Sequence, residues 1–139
     1  MTDRNSHNQE VIAAYRANAP TSDGTLDGRP LLLLTSTGAK SGNPHTTPMI
    51  YRREGERIFV FASKGGAPTN PDWYVNLVAT PTVTVELGPE TFRATATPLG
   101  EPERGRIYAE HAEAFPNFAE YQEKTTRPIP VVELVRAEG

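Results

Sequence analysis

The chain has 139 residues, of which 37% are hydrophobic and 22% charged, and this balance is typical of one compact globular domain. A formal net charge of −3 and the lack of a basic stripe argue against a nucleic-acid-binding protein. The absence of cysteine excludes disulfides and thiolate metal sites, and three scattered histidines predict no metal centre. The chain has no apolar run of about 18 residues, so no transmembrane helix is predicted. The polar N-terminus does not resemble a secretory signal, and we therefore expect a cytoplasmic protein.

The first thirty residues are expected to form a helix and a linker that belong to the same unit as the domain at residues 31–139. Apolar residues recur at roughly helical spacing over residues 11–19, before Pro20. Residues 21–30 are rich in turn formers. We interpret this helix as a loosely attached cover of the domain.

Six β-strands are predicted in the rest of the chain. Glycine-containing turns at residues 54–56 and 88–90 indicate two hairpins. Short helices are predicted over residues 71–79, with Asn70 as N-cap, after Pro102, and from Pro116 to Lys124. Closely spaced strands with peripheral helices favour a small antiparallel β-barrel, a mainly β fold. The predicted strands are residues 31–37, 46–53, 57–63, 82–87, 91–99 and 129–135.

Two turns that pair glycine with lysine are the first candidate site. Lys40 lies between two glycines directly after the first buried strand, and Ser63 and Lys64 precede a Gly-Gly pair after the third. Glycine lets a ligand approach the backbone, and backbone N–H groups with a lysine favour an anion. The spacing does not match a Walker A loop. The alternative is a pair of solvated turns, although these turns hold two of the three lysines.

Aromatic residues form two further candidates. Trp73 and Tyr74 lie near Asn76 on a predicted helix, which suits a planar heterocycle, or else they plug one end of the barrel. Phe115, Phe118 and Tyr121 recur at intervals of three, which is typical of a packed face. The Tyr121 phenol is nevertheless able to donate a proton to a carbonyl substrate.

Three ordered segments resemble one known family. They are TSTGAKSGNPHTTPMIY (residues 35–51), FASKGGAPTNPDWYVNL (residues 61–77) and FPNFAEYQEKTTRPIPVVEL (residues 115–134). Together they resemble the deazaflavin-dependent nitroreductase and quinone reductase family of actinobacteria. The resemblance implies an FMN-binding split-barrel-like fold. It also implies hydride transfer from reduced coenzyme F-420, an 8-hydroxy-5-deazaflavin with an anionic tail, to a quinone, a nitroaromatic or another electrophilic acceptor.

The resemblance also implies which residues contact the coenzyme and the acceptor. The acceptor pocket would lie beside Phe115, Phe118 and Tyr121, with Tyr121 or solvent as the proton donor. Several members have an arginine where this chain has His45, a tyrosine at Ile50 and a tyrosine at Phe118. The implied coenzyme contacts are Ala39, Lys40 and Ser41 at the phosphate and tail; His45, Thr46, Thr47, Pro48, Met49 and Ile50 along the adjoining strand; Phe61, Ala62, Ser63 and Lys64 along the ring; and Asp72, Trp73, Tyr74, Val75 and Asn76 on the next helix.

Other functions remain as alternatives from the sequence. One is an oxidoreductase of the same fold that uses FMN. Another is a non-catalytic protein that carries F-420, and a third is a partner-binding module, which leaves the two lysine–glycine turns unexplained. Peripheral contact with the inner face of a membrane is an alternative location, although the polar N-terminus offers little apolar anchor.

Overall fold

The computed structural model describes residues 2–17, 25–26, 29–67 and 69–137. In this part of the chain, no helix is long and apolar enough to span a membrane. The helices are α1 (Thr2–Ala17), α2 (Asp72–Ala79), α3 (Glu103–Ala114) and α4 (Asn117–Glu123), with a short 3₁₀ helix over Lys64–Gly66. The strands are β1 (Thr25–Leu26), β2 (Arg29–Thr37), β3 (Pro44–Glu54), β4 (Arg57–Phe61), β5 (Thr82–Leu87), β6 (Glu90–Pro98) and β7 (Val131–Arg136).

Strands β2 to β7 close into an antiparallel barrel. The hydrogen-bonded order is β2-β3-β4-β7-β6-β5, and β5 returns to pair with β2, with Leu34 opposite Val85. The short β1 extends the sheet beside β2. Closure leaves few free strand edges, which is one way in which an antiparallel sheet avoids edge-to-edge aggregation. The predicted β-barrel with peripheral helices is therefore confirmed.

The strand β2 is apolar on both faces because it is covered on both. Leu32 and Leu34 point into the barrel interior, whereas Leu31 and Leu33 pack under α1. All four leucines are buried, and full burial of each contributes about 1.5–3 kcal/mol. The continuous run of leucine in the sequence is therefore explained by packing on both faces of β2, in the barrel interior and under α1.

The C-terminal half of α1 packs against the barrel, so the prediction of a loosely attached cover was wrong for that half. Tyr15 is buried; its hydroxyl donates to the Leu31 carbonyl at 2.9 Å and accepts from the Gly88 N–H at 2.8 Å. Arg16 forms a two-pronged ion pair with Glu86 on β5. Long-range bonds of this kind leave no signature in local spacing. The part of the predicted helix and linker at residues 18–24 and 27–28 lies outside the described residues.

An aromatic layer outside the barrel holds α3 and α4. Phe59 and Phe61, on the outer face of β4, pack against Ile107, Tyr108 and Phe118. The helices that follow Pro102 and Pro116 thus form as predicted and cover β4 and β7. This layer matters for the site because Phe61 and Phe118 also border a large cavity.

The start of α2 differs from the prediction. The helix begins at Asp72 with Pro71 as its N-cap residue, and no side chain caps it. Asn70 was predicted to be the cap, but its Oδ1 instead accepts a hydrogen bond from Arg127 at 2.9 Å. The hydrogen bond from Arg127, 57 residues away in the sequence, replaces the local capping bond that Asn70 was predicted to make.

Candidate functional site

A cavity of about 1000 Å³ is lined by the strand β3, by Gln9 of α1 and by four further segments of the chain. These are the loop after β2, the turn after β4, the first turns of α2 and the inner face of α4. The predicted site residues that line it are Ala39, Lys40, Ser41, His45, Thr46, Thr47, Pro48, Met49, Ile50, Phe61, Ser63, Lys64, Asp72, Trp73, Val75, Asn76, Phe118 and Tyr121.

Three predicted site residues lie elsewhere. Ala62 is fully buried, and its backbone N–H donates to Pro130 rather than facing the cavity. Tyr74 packs against the barrel interior, as the plug interpretation predicts, and Phe115 packs in the outer aromatic layer. Trp73 does both: it packs against the interior and borders the cavity.

Five cavity residues were missed from the sequence: Gln9, Gly38, Pro44, Pro71 and Asn117. Four of them lie within the three segments that carry the family resemblance, although they were not named as contacts. Gln9 belongs to α1, and only the packing of that helix beside β2 and β3 brings it to the cavity. No local pattern marks it.

Residues 38–43, the Lys40 loop, are held by a buried amide. Asn76 is 8% exposed; its Oδ1 accepts from the Ala39 N–H at 2.9 Å, and its Nδ2 donates to Ser36 Oγ at 3.3 Å. Gly42 adopts a φ of 73°, which favours glycine. The Gly38 N–H donates across the loop to the Asn43 carbonyl at 2.8 Å. Asn76 therefore acts on the cavity through the loop it holds, as well as by lining it.

His45 and Ser41 close tightly over Gly38. A Cβ placed on Gly38 would lie 2.5 Å from Ser41 Oγ and 2.9 Å from His45 Nε2. Only a residue without a side chain leaves both groups where they are. The glycine predicted as a turn former thus also makes room for two polar side chains at the cavity edge.

Residues 62–67, the Lys64 turn, carry a strained backbone. Lys64 has a φ of 48°, in the left-handed region that costs a side-chain-bearing residue roughly 1–2 kcal/mol. The Gly66 N–H donates to the Ser63 carbonyl at 2.9 Å, and Lys64 Nζ donates to Thr69 Oγ1 at 3.2 Å. Strain of this kind persists where the surroundings fix the backbone, and it clusters at ligand sites.

The Lys64 turn also contacts α4. A Cβ on Gly66 would lie 2.7 Å from the Tyr121 carbonyl oxygen, so the two backbones touch. This contact fixes the distance between the lysine side of the cavity and its aromatic side.

The lining of the cavity carries more positive than negative charge. Lys40 and Lys64 both border the cavity, and among the described residues neither ammonium group has a carboxylate partner. Among the described residues that line the cavity, Asp72 is the one acidic residue. Met49, Ile50 and Phe61 give the cavity apolar surface. Two cations together with apolar surface suit a planar ring that carries an anionic tail.

The aromatic side of the cavity presents a phenol. Asn117 Nδ2 donates to the Tyr121 hydroxyl at 2.9 Å, which leaves the phenolic hydrogen free for another acceptor. Phe118 is held because the Tyr108 hydroxyl donates to its carbonyl at 2.6 Å. Burial raises the pKa of Tyr108 to about 12, so it stays neutral. Tyr121 is therefore the phenol available to a ligand.

One charged residue that supports the site escaped prediction. Arg127, between α4 and β7, donates hydrogen bonds to the carbonyls of Ala62, Ser63 and Ala67. Its neighbours in the sequence are proline and threonine, so no charge pattern or motif distinguished it. The three acceptors lie about 60 positions earlier in the chain.

Comparison with known proteins gives a consistent result. The family model described as F420H(2)-dependent quinone reductase matches residues 7–136. An F420H(2)-dependent quinone reductase of Mycobacterium tuberculosis is 44% identical over 110 residues, which cover 77% of this chain and 74% of that protein.

Solved structures agree in sequence and in fold. An F420-H2 dependent reductase (FDR-A) is 43% identical with a TM-score of 0.69, covering 76% of this chain and 94% of that one. A structure described as a domain-swapped dimer is 38% identical with a TM-score of 0.71, covering 96% and 99%. The heme storage protein HutZ of Vibrio cholerae, 15% identical with a TM-score of 0.61 and covering 95% and 92%, shares the fold alone. The predicted split-barrel class and the predicted family are both confirmed: the chain belongs to the F420H(2)-dependent quinone reductase family.

Proposed function

We propose that the protein transfers a hydride from reduced coenzyme F-420 to a quinone within the cavity between the Lys40 loop, the Lys64 turn and α4. The family is one of F420H(2)-dependent oxidoreductases, so membership confirms the predicted enzyme class and the predicted coenzyme. The observation that supports this site is that one cavity is bordered by the Tyr121 phenol and by two lysines that have no carboxylate partner among the described residues. The assignment of individual residues below is our proposal.

The residues of the cavity fit the coenzyme. F-420 combines a planar ring with an anionic tail, and the cavity combines apolar surface with two lysines. A volume of about 1000 Å³ is at the upper end of the range for ligand pockets, which suits a large cofactor. When bound, the coenzyme supplies the hydride, and the protein supplies binding and orientation.

Each wall has a separate task in this proposal. Lys40 and Ser41 hold the anionic tail, with His45 contributing a hydrogen bond rather than the permanent charge of an arginine. Met49 and Ile50 cover one face of the ring, and the Lys64 turn holds its edge. These contacts fix the ring relative to α4, where the acceptor binds.

Tyr121 is our candidate for the proton donor to the acceptor oxygen. A quinone that accepts a hydride needs one proton to become a quinol, so atoms and charge balance with a single donor. The hydrogen bond from Asn117 holds the phenol oxygen as an acceptor and directs its hydrogen elsewhere. Positioned acids of this kind contribute about 10²–10⁴-fold to a rate.

Among acceptors, we propose that quinones are preferred over nitroaromatics. The side chain of Phe118 offers no hydroxyl at a position where quinone-reducing relatives carry one, so Tyr121 is the remaining phenol on this face. We expect weak turnover of nitroimidazoles and better activity on a small quinone. The preference for a quinone is supported by the family, whose model is described as a quinone reductase.

The experiment is anaerobic oxidation of reduced F-420, followed by absorbance, with menadione as the quinone and a nitroimidazole as the comparison. We expect catalytic, repeated turnover with menadione. Tight binding of F-420 without turnover on any acceptor would favour the carrier alternative. Turnover only when reduced FMN replaces F-420 would favour the FMN alternative.

A further inference from the structure

Arg127 directs its hydrogen bonds to one segment of the chain. Nη1 donates to the Ala62 carbonyl at 3.2 Å and to Asn70 Oδ1 at 2.9 Å. Nη2 donates to the Ser63 carbonyl and Nε to the Ala67 carbonyl, both at 2.9 Å. The four acceptors bracket the Lys64 turn on both sides. A guanidinium is suited to this because its donors form a rigid planar fork.

Arg127 differs from the other arginines that hold elements together. Arg16, Arg52, Arg57 and Arg106 each pair with glutamate. Within the described part of the chain, Arg127 has no carboxylate partner and bonds to neutral oxygens alone. Its charge is therefore not cancelled locally, and it polarises the peptide groups whose carbonyls it contacts.

The geometry of those peptides connects Arg127 to the cavity. The peptides between residues 62 and 64 are trans, so each N–H points opposite to the carbonyl of the same peptide. With the Ala62 and Ser63 carbonyls turned toward Arg127, the N–H groups of Ser63 and Lys64 turn away from it. Neither N–H has an acceptor among the described residues, and both residues line the cavity.

We propose that Arg127 is a positioning residue that holds the Ser63 and Lys64 N–H groups as paired donors for an oxygen acceptor on the edge of the bound coenzyme. The inference rests on the proposed function, since it takes F-420 as the occupant of the cavity. Arg127 itself does not touch the ligand. Its role is to fix the left-handed turn at Lys64 and to strengthen two donors from behind.

The test compares Arg127→Gln and Arg127→Lys with a matched control, Arg104→Gln. Arg104 also donates to a backbone carbonyl, that of Ile129, at 3.0 Å, but it does not contact the Lys64 turn. Thermal melting identifies a temperature at which all variants are folded. The dissociation constant for oxidised F-420 is then measured there by fluorescence titration at several salt concentrations.

We expect Arg127→Gln to weaken F-420 binding by about 10-fold or more. The affinity of Arg127→Lys should lie between those of Arg127→Gln and the wild type. Arg104→Gln should change the affinity less than about 2-fold. Because Arg127 does not contact the anionic tail, the salt dependence of binding should stay unchanged in Arg127→Gln and fall in Lys40→Ala. Because Arg127→Lys keeps the charge, its affinity for F-420 is the one compared with the wild type if Arg127→Gln does not fold.

Three outcomes would overturn the inference. The first is an unchanged affinity for F-420 in folded Arg127 variants, and the second is an equal loss of affinity in Arg127→Gln and Arg104→Gln. The third is failure of both Arg127 variants to fold, which would assign Arg127 a role in stability alone. If the wild type binds no F-420, the proposed function fails and the inference fails with it. Binding by the wild type with unchanged binding by the variants contradicts the inference alone.

Discussion

The imidazole of His111 stacks on the ring of Phe61, with centroids 4.0 Å apart and planes inclined by 13°. His111 is 1% exposed, and within the described structure neither ring nitrogen has a hydrogen-bond partner. Burial, with a smaller contribution from the nearby Arg52, lowers the pKa of His111 from 6.5 to about 4. A neutral histidine thus lies directly behind a residue that borders the cavity.

This burial predicts a stability loss in mild acid. The folded state binds the proton less readily than the unfolded chain, so His111 costs no stability above about pH 6.5. As the pH falls from 6.5 toward 4, the unfolded state gains a proton and the free energy of unfolding drops, by up to about 3 kcal/mol. Urea unfolding at pH 7 and at pH 4.5 measures this drop.

His111→Phe should show a smaller drop over the same pH interval and should be no less stable at pH 7, because two unpartnered polar atoms leave the core. An identical drop in the wild type and in His111→Phe would assign the effect to carboxylates instead. Glu54 and Glu103, whose pKa values are lowered by arginines, are the natural candidates for that role.

Lys40→Ala should weaken F-420 binding by about 10-fold, since a hydrogen bond to a charged group is among the stronger ones. Affinity for F-420 should also fall with rising salt in the wild type and less steeply in the variant. The control is Lys124→Ala, which removes the lysine that does not line the cavity. An unchanged dissociation constant for F-420 would contradict this prediction and would mean that Lys40 is a solvated turn residue.

Asn76→Ala should both destabilise the protein and loosen the Lys40 loop. The variant leaves the Ala39 N–H and Ser36 hydroxyl without their partner, which costs about 1–3 kcal/mol in urea unfolding. Ser36→Ala is the control, because it removes one bond of the amide and keeps the other. We expect weaker F-420 binding in Asn76→Ala and near-normal binding in Ser36→Ala. Equal affinities in both variants would mean that the clamp on Ala39 does not shape the binding site.

Much of the barrel follows from local signals. The alternation of threonine and valine in β5 predicts one buried face, and Gly55 and Gly88 mark hairpin turns where φ is positive. The glycine–lysine turns also identify two walls of the cavity. These features are encoded within a few residues, so sequence patterns suffice to find them.

The missing parts depend on contacts between distant residues. Asn70 reads as a helix cap, but its oxygen bonds to Arg127 instead. Gln9 reaches the cavity because Tyr15 and Arg16 anchor α1 from the other end of the helix. Competition between local and long-range hydrogen bonds decides these positions, and it cannot be evaluated before the barrel closes.

Tyr121→Phe should lower the rate of quinone reduction by roughly 100-fold if the phenol donates the proton. The dissociation constant for F-420 should stay nearly unchanged, because the hydroxyl is assigned to the acceptor. Steady-state oxidation of reduced F-420 measures the first effect and fluorescence titration the second. Tyr74→Phe, outside the cavity, serves as the control. Full activity in Tyr121→Phe would leave solvent as the proton source.

The central claim is that this cavity is built for F-420, with its anionic tail on the Lys40 loop and its ring against the Lys64 turn. The most direct measurement is a titration of the protein with oxidised F-420 and, separately, with FMN under the same conditions. We expect saturable binding of F-420 in clear preference to FMN, weakened by Lys40→Ala. Tight FMN binding with no measurable F-420 binding would contradict it.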